Sequence, residues 1–319
     1  MPFRFFAADP DSDDESSVAA PTTNENTSDP GDAAPFLPPV LHPLSTLLPT
    51  LPPNIAYNFA PTVPLLPRRA VFDTEMQLKT SDTQLSDLGD HDIRRRIYEG
   101  GLKSWECSID LATYLSDTIT TIPSKTLELG CGSALPSLML FRKMLEEKKG
   151  GTIVLADYNL DVLKLVTLPN LVLVWGVHKG LIKGEEKGDF DAHELFSAEA
   201  FEKELKEAGI EVVFMEGAWG GDMNQLLGET VEGGKFDLVL GSETIYEPET
   251  AGRFTDVVLE AVVENGKALV AAKKIYFGVG GGVDDFVKDV EGRGSYSCHM
   301  VRDFKSAGVN REIVEVVRK

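Results

Sequence analysis

Thr126-Leu127-Glu128-Leu129-Gly130-Cys131-Gly132-Ser133-Ala134-Leu135-Pro136 reads as a strand, a tight glycine turn and the first turn of a helix. Pro136 stands where a helix tolerates the loss of one N–H, and the two glycines let a ligand approach the backbone. A dinucleotide-binding turn would carry a third glycine at position 135, which is Leu, so the pyrophosphate fingerprint fails. Glu128, inside the strand, would repel a phosphate and attract a cation. S-adenosyl-L-methionine carries an ammonium and a sulfonium, so this turn, with Glu128, Gly130 and Gly132, is expected to hold that cofactor.

Outward from the turn, short apolar runs recur at 126–129, 152–156, 171–175, 211–215, 236–241 and 267–272. Segments of helical length and pattern separate most of them, at 136–148, 160–168, 198–208 and 249–264, and another helix is expected over 107–118. Alternation of this kind predicts an α/β fold with a doubly wound parallel sheet. Residues 296–304 and 313–317 read as a terminal antiparallel pair joined by a polar turn.

Two further strand ends carry polar groups. Asp157 follows Val154-Leu155-Ala156 at the end of the second strand, where a carboxylate can accept both ribose hydroxyls of a nucleoside. Ser242, Glu243 and Tyr246 follow the buried run 236–241, at the strand end where open α/β sheets bind ligands. Glu216-Gly217-Ala218-Trp219 follows another apolar run and offers an indole or a backbone amide to an adenine ring.

Composition bounds the rest. A formal charge of -20 argues against nucleic acid as a partner and favours a basic protein. The three cysteines, Cys107, Cys131 and Cys298, make no disulfide ladder, and the five histidines lack metal-site spacing, so a reducing compartment and no metal are expected. No leader-like or membrane-length apolar run is read. Fourteen of the 18 prolines precede residue 70 and no Lys or Arg lies between Arg4 and Arg68. Residues 1–67 are therefore expected to be a disordered acidic and Pro-rich segment, with 68–319 as the folded domain, although 35–67 would also suit an extended stretch laid on the body.

Several blocks together resemble the eukaryotic protein-histidine methyltransferases: Tyr98-Glu99-Gly100-Gly101-Leu102-Lys103-Ser104-Trp105-Glu106-Cys107-Ser108, the glycine turn, Asp157-Tyr158-Asn159, Leu168-Pro169-Asn170-Leu171, Ser242-Glu243-Thr244-Ile245-Tyr246, and the stretch Ala271 to Gly282. The resemblance runs from about Ile93 to the C-terminus. It implies a Rossmann-like class I methyltransferase fold, with a mostly parallel seven-stranded sheet closed by the antiparallel pair. It also implies cofactor contacts at Ser104, Trp105, Glu106, Cys107, Ser108, Gly130, Asp157, Tyr158, Asn159, Gly217, Ala218, Trp219 and Ser242. Its usual substrate is one histidine of a large-subunit ribosomal protein, which implies a monomer working in cytoplasm and nucleus. Glu243, and after it Glu106, are the residues expected to hold the acceptor imidazole. A protein-lysine methyltransferase of the same fold and a non-catalytic adaptor for ribosome assembly are the rival readings. Tyr276 to Gly282 is expected to be a substrate lid or a plain flexible loop.

Overall fold

The computed structural model describes residues 36–63, 66–72, 74, 101–183, 186–278, 280–305 and 309–319. Eleven strands lie among them: β1 (Val40–Pro43), β2 (Asn54–Phe59), β3 (Pro67–Arg69), β4 (Lys125–Leu129), β5 (Gly151–Asp157), β6 (Gly188–Asp191), β7 (Ile210–Glu216), β8 (Phe236–Ser242), β9 (Val262–Lys273), β10 (Tyr296–Lys305) and β11 (Asn310–Arg318). The main sheet has the order β1-β7-β5-β4-β8-β9-β11-β10. Strands β7, β5, β4, β8 and β9 are parallel, and β11 inserts antiparallel between β9 and β10. The winding reverses between β4 and β8, and it is outside the carboxyl ends of strands at such a switch point that open α/β sheets bind ligands.

Helices cover both faces: α1 (Glu106–Thr118), α2 (Leu135–Glu147), α3 (Leu160–His178), α4 (Ala198–Ala208), α5 (Gly221–Thr230), α6 (Pro248–Ala261) and α7 (Val283–Gly292). Strict alternation along the strands builds two cores. Leu155, Phe214, Leu238 and Leu240 face α1 to α4, while Val154, Val213, Met215 and Val239 face α5 to α7. Within β4, Leu127 and Leu129 join the second core, which turns Glu128 toward α1 and α2.

Three expectations are corrected. Residues 171–175 are helical, as the middle of α3. This helix packs on the main core through Leu171, Val174 and Trp175, and on a three-stranded sheet, β3-β2-β6, through Val172 and Leu173. An apolar run without periodicity reads the same for a doubly covered helix and a buried strand. The same double cover explains why α3 is long and apolar enough to cross a membrane yet has 78% of its most apolar window buried.

The boundary at 67 moves to Phe36, since Phe36–Lys319 forms one compact unit. Leu47, Leu48, Val63 and Leu66 sink into the main core, and β1 pairs with β7 from Val40↔Glu216 to Pro43↔Val213. Enough apolar side chains punctuate the prolines to order this stretch, and the sheet gains an eighth strand. The expectation for residues 1–35 lies outside the described residues, as does the part of the first resemblance block before Gly101. Finally, α6 stops at Ala261 rather than 264, because Val262 is already extended and begins β9.

Candidate active site

The glycine turn stands at the reversal of winding, between β4 and α2. Gly130, Gly132 and Ala134 all adopt left-handed backbone, with φ of 63°, 49° and 54°. A Cβ added to Gly130 would stand 2.8 Å from Thr244 Cγ2 and 3.2 Å from Trp219 Cζ2, so only glycine fits between those side chains. Two residues of α3 brace the turn: Thr167 Oγ1 donates to the Gly132 carbonyl at 2.7 Å, and Asn170 Nδ2 donates to the Ser133 carbonyl at 2.9 Å.

Asn170 is fully buried and is itself held, its Oδ1 accepting the Arg69 N–H at 2.6 Å. Arg69 Nη1 also donates to the Leu165 carbonyl at 2.7 Å. That carbonyl lies four residues before Pro169, which has no N–H to offer it. The same place is marked by a π-type turn, Leu163–Thr167. A strand of the N-terminal segment thus repairs the helix that supports the cofactor turn. Neither Arg69 nor Asn170 was expected at the site; Pro169 inside an apolar helix was the signal for an outside donor.

Glu128 is fully buried. Its Oε2 accepts the Ser137 N–H at 3.0 Å in the first turn of α2, and its Oε1 has no hydrogen-bond partner. Burial lifts its pKa to about 7, against the opposing hydrogen bonds from Ser137, and Asp157 nearby adds slightly to the rise. Glu128 therefore caps α2 with one oxygen and leaves the other without a hydrogen-bond partner. Asp157 sits across from it, at the end of β5. Its Oδ2 accepts the Gly132 N–H at 2.9 Å and its Oδ1 the Asn159 N–H at 3.2 Å, while burial raises its pKa despite these bonds. Each oxygen retains a lone pair for a hydroxyl.

Gly217 and Ala218 follow β7, but a different partner meets them. The Ala218 N–H donates to the Leu37 carbonyl at 2.9 Å, and a Cβ on Gly217 would come within 2.6 Å of Pro39 Cα. The segment leading into β1 therefore occupies the Ala218 amide that the sequence offered to an adenine. Trp219 remains beside the glycine turn, stacked edge-on to Phe254 at 5.2 Å.

The opposite wall is formed by the start of α1 and the ends of β8 and β9. Cys107 and Ser108 are buried there, and the Ser108 hydroxyl has no partner. Burial and the neighbouring Glu243 carboxylate push the Cys107 thiol well above its usual range, so it stays protonated. Glu106, by contrast, is exposed. Lys103 Nζ lies 3.7 Å above the Trp105 ring, and Lys273 Nζ is 5.4 Å from the same ring. Ser242 is buried at the end of β8.

Glu243 follows in left-handed backbone, φ 56°, with its side chain 8% exposed. Its Oε2 accepts the Tyr276 hydroxyl, while Oε1 has no hydrogen-bond partner and stands 4.0 Å from Lys273 Nζ. A non-glycine residue held in this conformation at a strand end by the switch point is strain of the kind that active sites retain. The structure thus separates the two acceptor candidates, burying Glu243 there and exposing Glu106.

The glycine-rich stretch after β9 is a pinned turn. Tyr276 N–H donates to the Gly281 carbonyl at 3.0 Å and Gly280 N–H to the Tyr276 carbonyl at 3.2 Å. A Cβ on Gly281 would collide with the Ile245 carbonyl at 2.4 Å, so the glycine there serves close packing rather than a loose lid.

The residues present fit S-adenosyl-L-methionine. An orphaned, buried carboxylate oxygen on Glu128 matches an ammonium, Asp157 matches a ribose, and Trp219 matches an adenine ring. No family model matches the chain. Histidine protein methyltransferase 1 of Saccharomyces cerevisiae is 34% identical across 98% of both chains. The protein of the same name from Schizosaccharomyces pombe is 38% identical over 69% of this chain and 67% of its own length. The Rattus norvegicus homologue is 33% identical over 72% of this chain and 59% of its own. Among solved structures, the magnesium protoporphyrin IX methyltransferase of Synechocystis overlaps 78% of this chain and 94% of its own, at 14% identity and a TM-score of 0.41, too loosely to bear on function. On the full-length relationship to the yeast protein, the chain belongs to the histidine protein methyltransferase family.

Proposed function

We propose that the chain methylates one histidine side chain of a large-subunit ribosomal protein. The observation that carries this reading is Glu243, a buried carboxylate at the carboxyl end of β8 whose Oε1 lacks a hydrogen-bond partner, followed by Thr244, which meets Gly130 of the glycine turn. S-adenosyl-L-methionine supplies an electrophilic methyl carbon on its sulfonium. The chain supplies position, exclusion of water and the handling of one proton.

The acceptor imidazole must arrive neutral, with a lone pair on the reacting nitrogen. Glu243 Oε1 accepts the N–H of the other nitrogen, which selects one tautomer and turns the lone pair inward. As the reacting nitrogen takes the methyl carbon, whose bond to sulfur breaks to leave neutral S-adenosylhomocysteine, the ring becomes cationic; the carboxylate offsets that charge, and the proton on the other ring nitrogen then passes to solvent. Glu128, Asp157 and the turn Gly130 to Gly132 hold the cofactor, with Trp105 to Ser108, Tyr158, Asn159, Trp219 and Ser242 around it.

A basic acceptor protein suits a chain of formal charge -20, since opposite net charge speeds encounter. A ribosomal substrate places the enzyme in cytoplasm and nucleus, as a monomer that touches protein rather than nucleic acid. Incubation with methyl-labelled cofactor and purified ribosomal proteins, then amino-acid analysis, tests the reading. Label recovered as methylhistidine in a large-subunit protein is expected. Label in methyllysine would overturn the acceptor, and no label at all would favour a non-catalytic adaptor.

A further inference from the structure

We infer that Tyr276 is a positioning residue for the acceptor, fixing the Glu243 carboxylate so that Oε1 alone faces the incoming imidazole; this rests on the reading of Glu243 above.

A free carboxylate rotates and offers either oxygen in many directions. Here the Tyr276 hydroxyl donates to Oε2 and removes that freedom. The tyrosine is itself held from three sides. Its hydroxyl oxygen accepts the Lys273 N–H at 3.3 Å, its own N–H and carbonyl close the glycine turn, and its ring packs against the core of α5 to α7 with Tyr246 at 6.2 Å. Burial and the adjacent carboxylate keep the phenol protonated, so it remains a donor.

Lys273 and the buried Cys107 thiol stand on the remaining sides of the carboxylate. The lysine ammonium lies 4.0 Å from Oε1, beyond hydrogen-bonding distance, and 5.4 Å from both the Trp105 and Tyr276 rings. It stands beside the carboxylate without occupying the oxygen that the acceptor needs. The neighbours of Tyr276 point the other way: Ile275 is 52% exposed and Phe277 80%. An inward tyrosine between two outward apolar side chains places the positioning group at the lip over which a protein acceptor must pass.

The test is a double-mutant cycle on the full chain with an acceptor peptide. Rates are normalised to protein competent to bind S-adenosylhomocysteine, so partial unfolding cannot imitate a slow enzyme. Tyr276→Phe keeps the ring and is expected to lower kcat by about 10- to 100-fold, the range for losing one hydrogen bond to a charged group, while S-adenosylhomocysteine affinity stays unchanged. Glu243→Gln is expected to lower kcat at least as far, and Tyr276→Phe added to Glu243→Gln should cost little more. Two separate, multiplying losses would overturn the inference, because Tyr276 would then act independently of Glu243. Full activity of Tyr276→Phe beside a defective Glu243→Gln would overturn the inference and leave the Glu243 reading standing. Full activity of Glu243→Gln would overturn both.

Discussion

Glu128 carries two roles that a single substitution separates. Its pKa of about 7 stands above the 4.5 of an ordinary glutamate, so the folded chain binds more protons than the unfolded one between those values. Its contribution to stability is present below pH 4.5 and is lost as pH rises through about 7, to the extent of about 3 kcal/mol. Glu128→Gln removes the charge and its burial cost. The variant is expected to melt at or above the parent temperature, with the difference widening from pH 5 to pH 8. Its affinity for S-adenosylmethionine should fall by about tenfold or more, the loss of one charge-assisted contact. A variant that loses stability and keeps its affinity would reduce Glu128 to a helix cap. The same residue shows what local sequence can convey. An acid within a β-strand before a glycine turn announces a cationic ligand, whereas its bond to Ser137 N–H depends on how tightly α2 packs back on β4.

At the level of elements, α3 is the member on which the site depends most and which the sequence rendered least clearly. Its apolar residues point in all directions because both sides are covered, and periodicity is lost where a third layer exists. Its breach at Pro169 is mended by Arg69, a residue about 100 positions earlier, and the same arginine's N–H orients the asparagine that holds the glycine turn. Arg69→Ala leaves a half-buried carbonyl without this donor and should cost about 1 kcal/mol in denaturant unfolding. Asn170→Ala should cost a similar amount and also weaken cofactor binding, since Ser133 loses its anchor. Amide exchange at residues 130–134 checks the second outcome: faster exchange is expected in Asn170→Ala, and unchanged exchange would detach the asparagine from the site.

At the level of the whole molecule, charge is the property that bears on partner choice. Residues 1–35 hold eight acidic side chains and one basic one, Arg4. Deleting them is expected to slow methylation of a basic acceptor at low ionic strength, with the difference vanishing near 1 M salt, where the screening length falls to about 3 Å. Equal rates at both ionic strengths would deny the tail a part in recognition.

What the sequence by itself determined was everything that depends on neighbours in the chain. The strand-turn-helix at 126–136, the alternation that demands a parallel sheet, the acid at the end of β5 and the terminal antiparallel pair all follow from spacing within a few residues. Tertiary structure alone decided which distant groups meet. Ser242 pairs with Ala271 in the β8–β9 register, and that pairing brings Glu243 alongside Lys273 and under Tyr276. A slip of one residue would turn these side chains to opposite faces of the sheet. The register is set by burial of Val239, Leu240, Leu269 and Val270 on the two faces, a cooperative property of the packed sheet that no local stretch encodes.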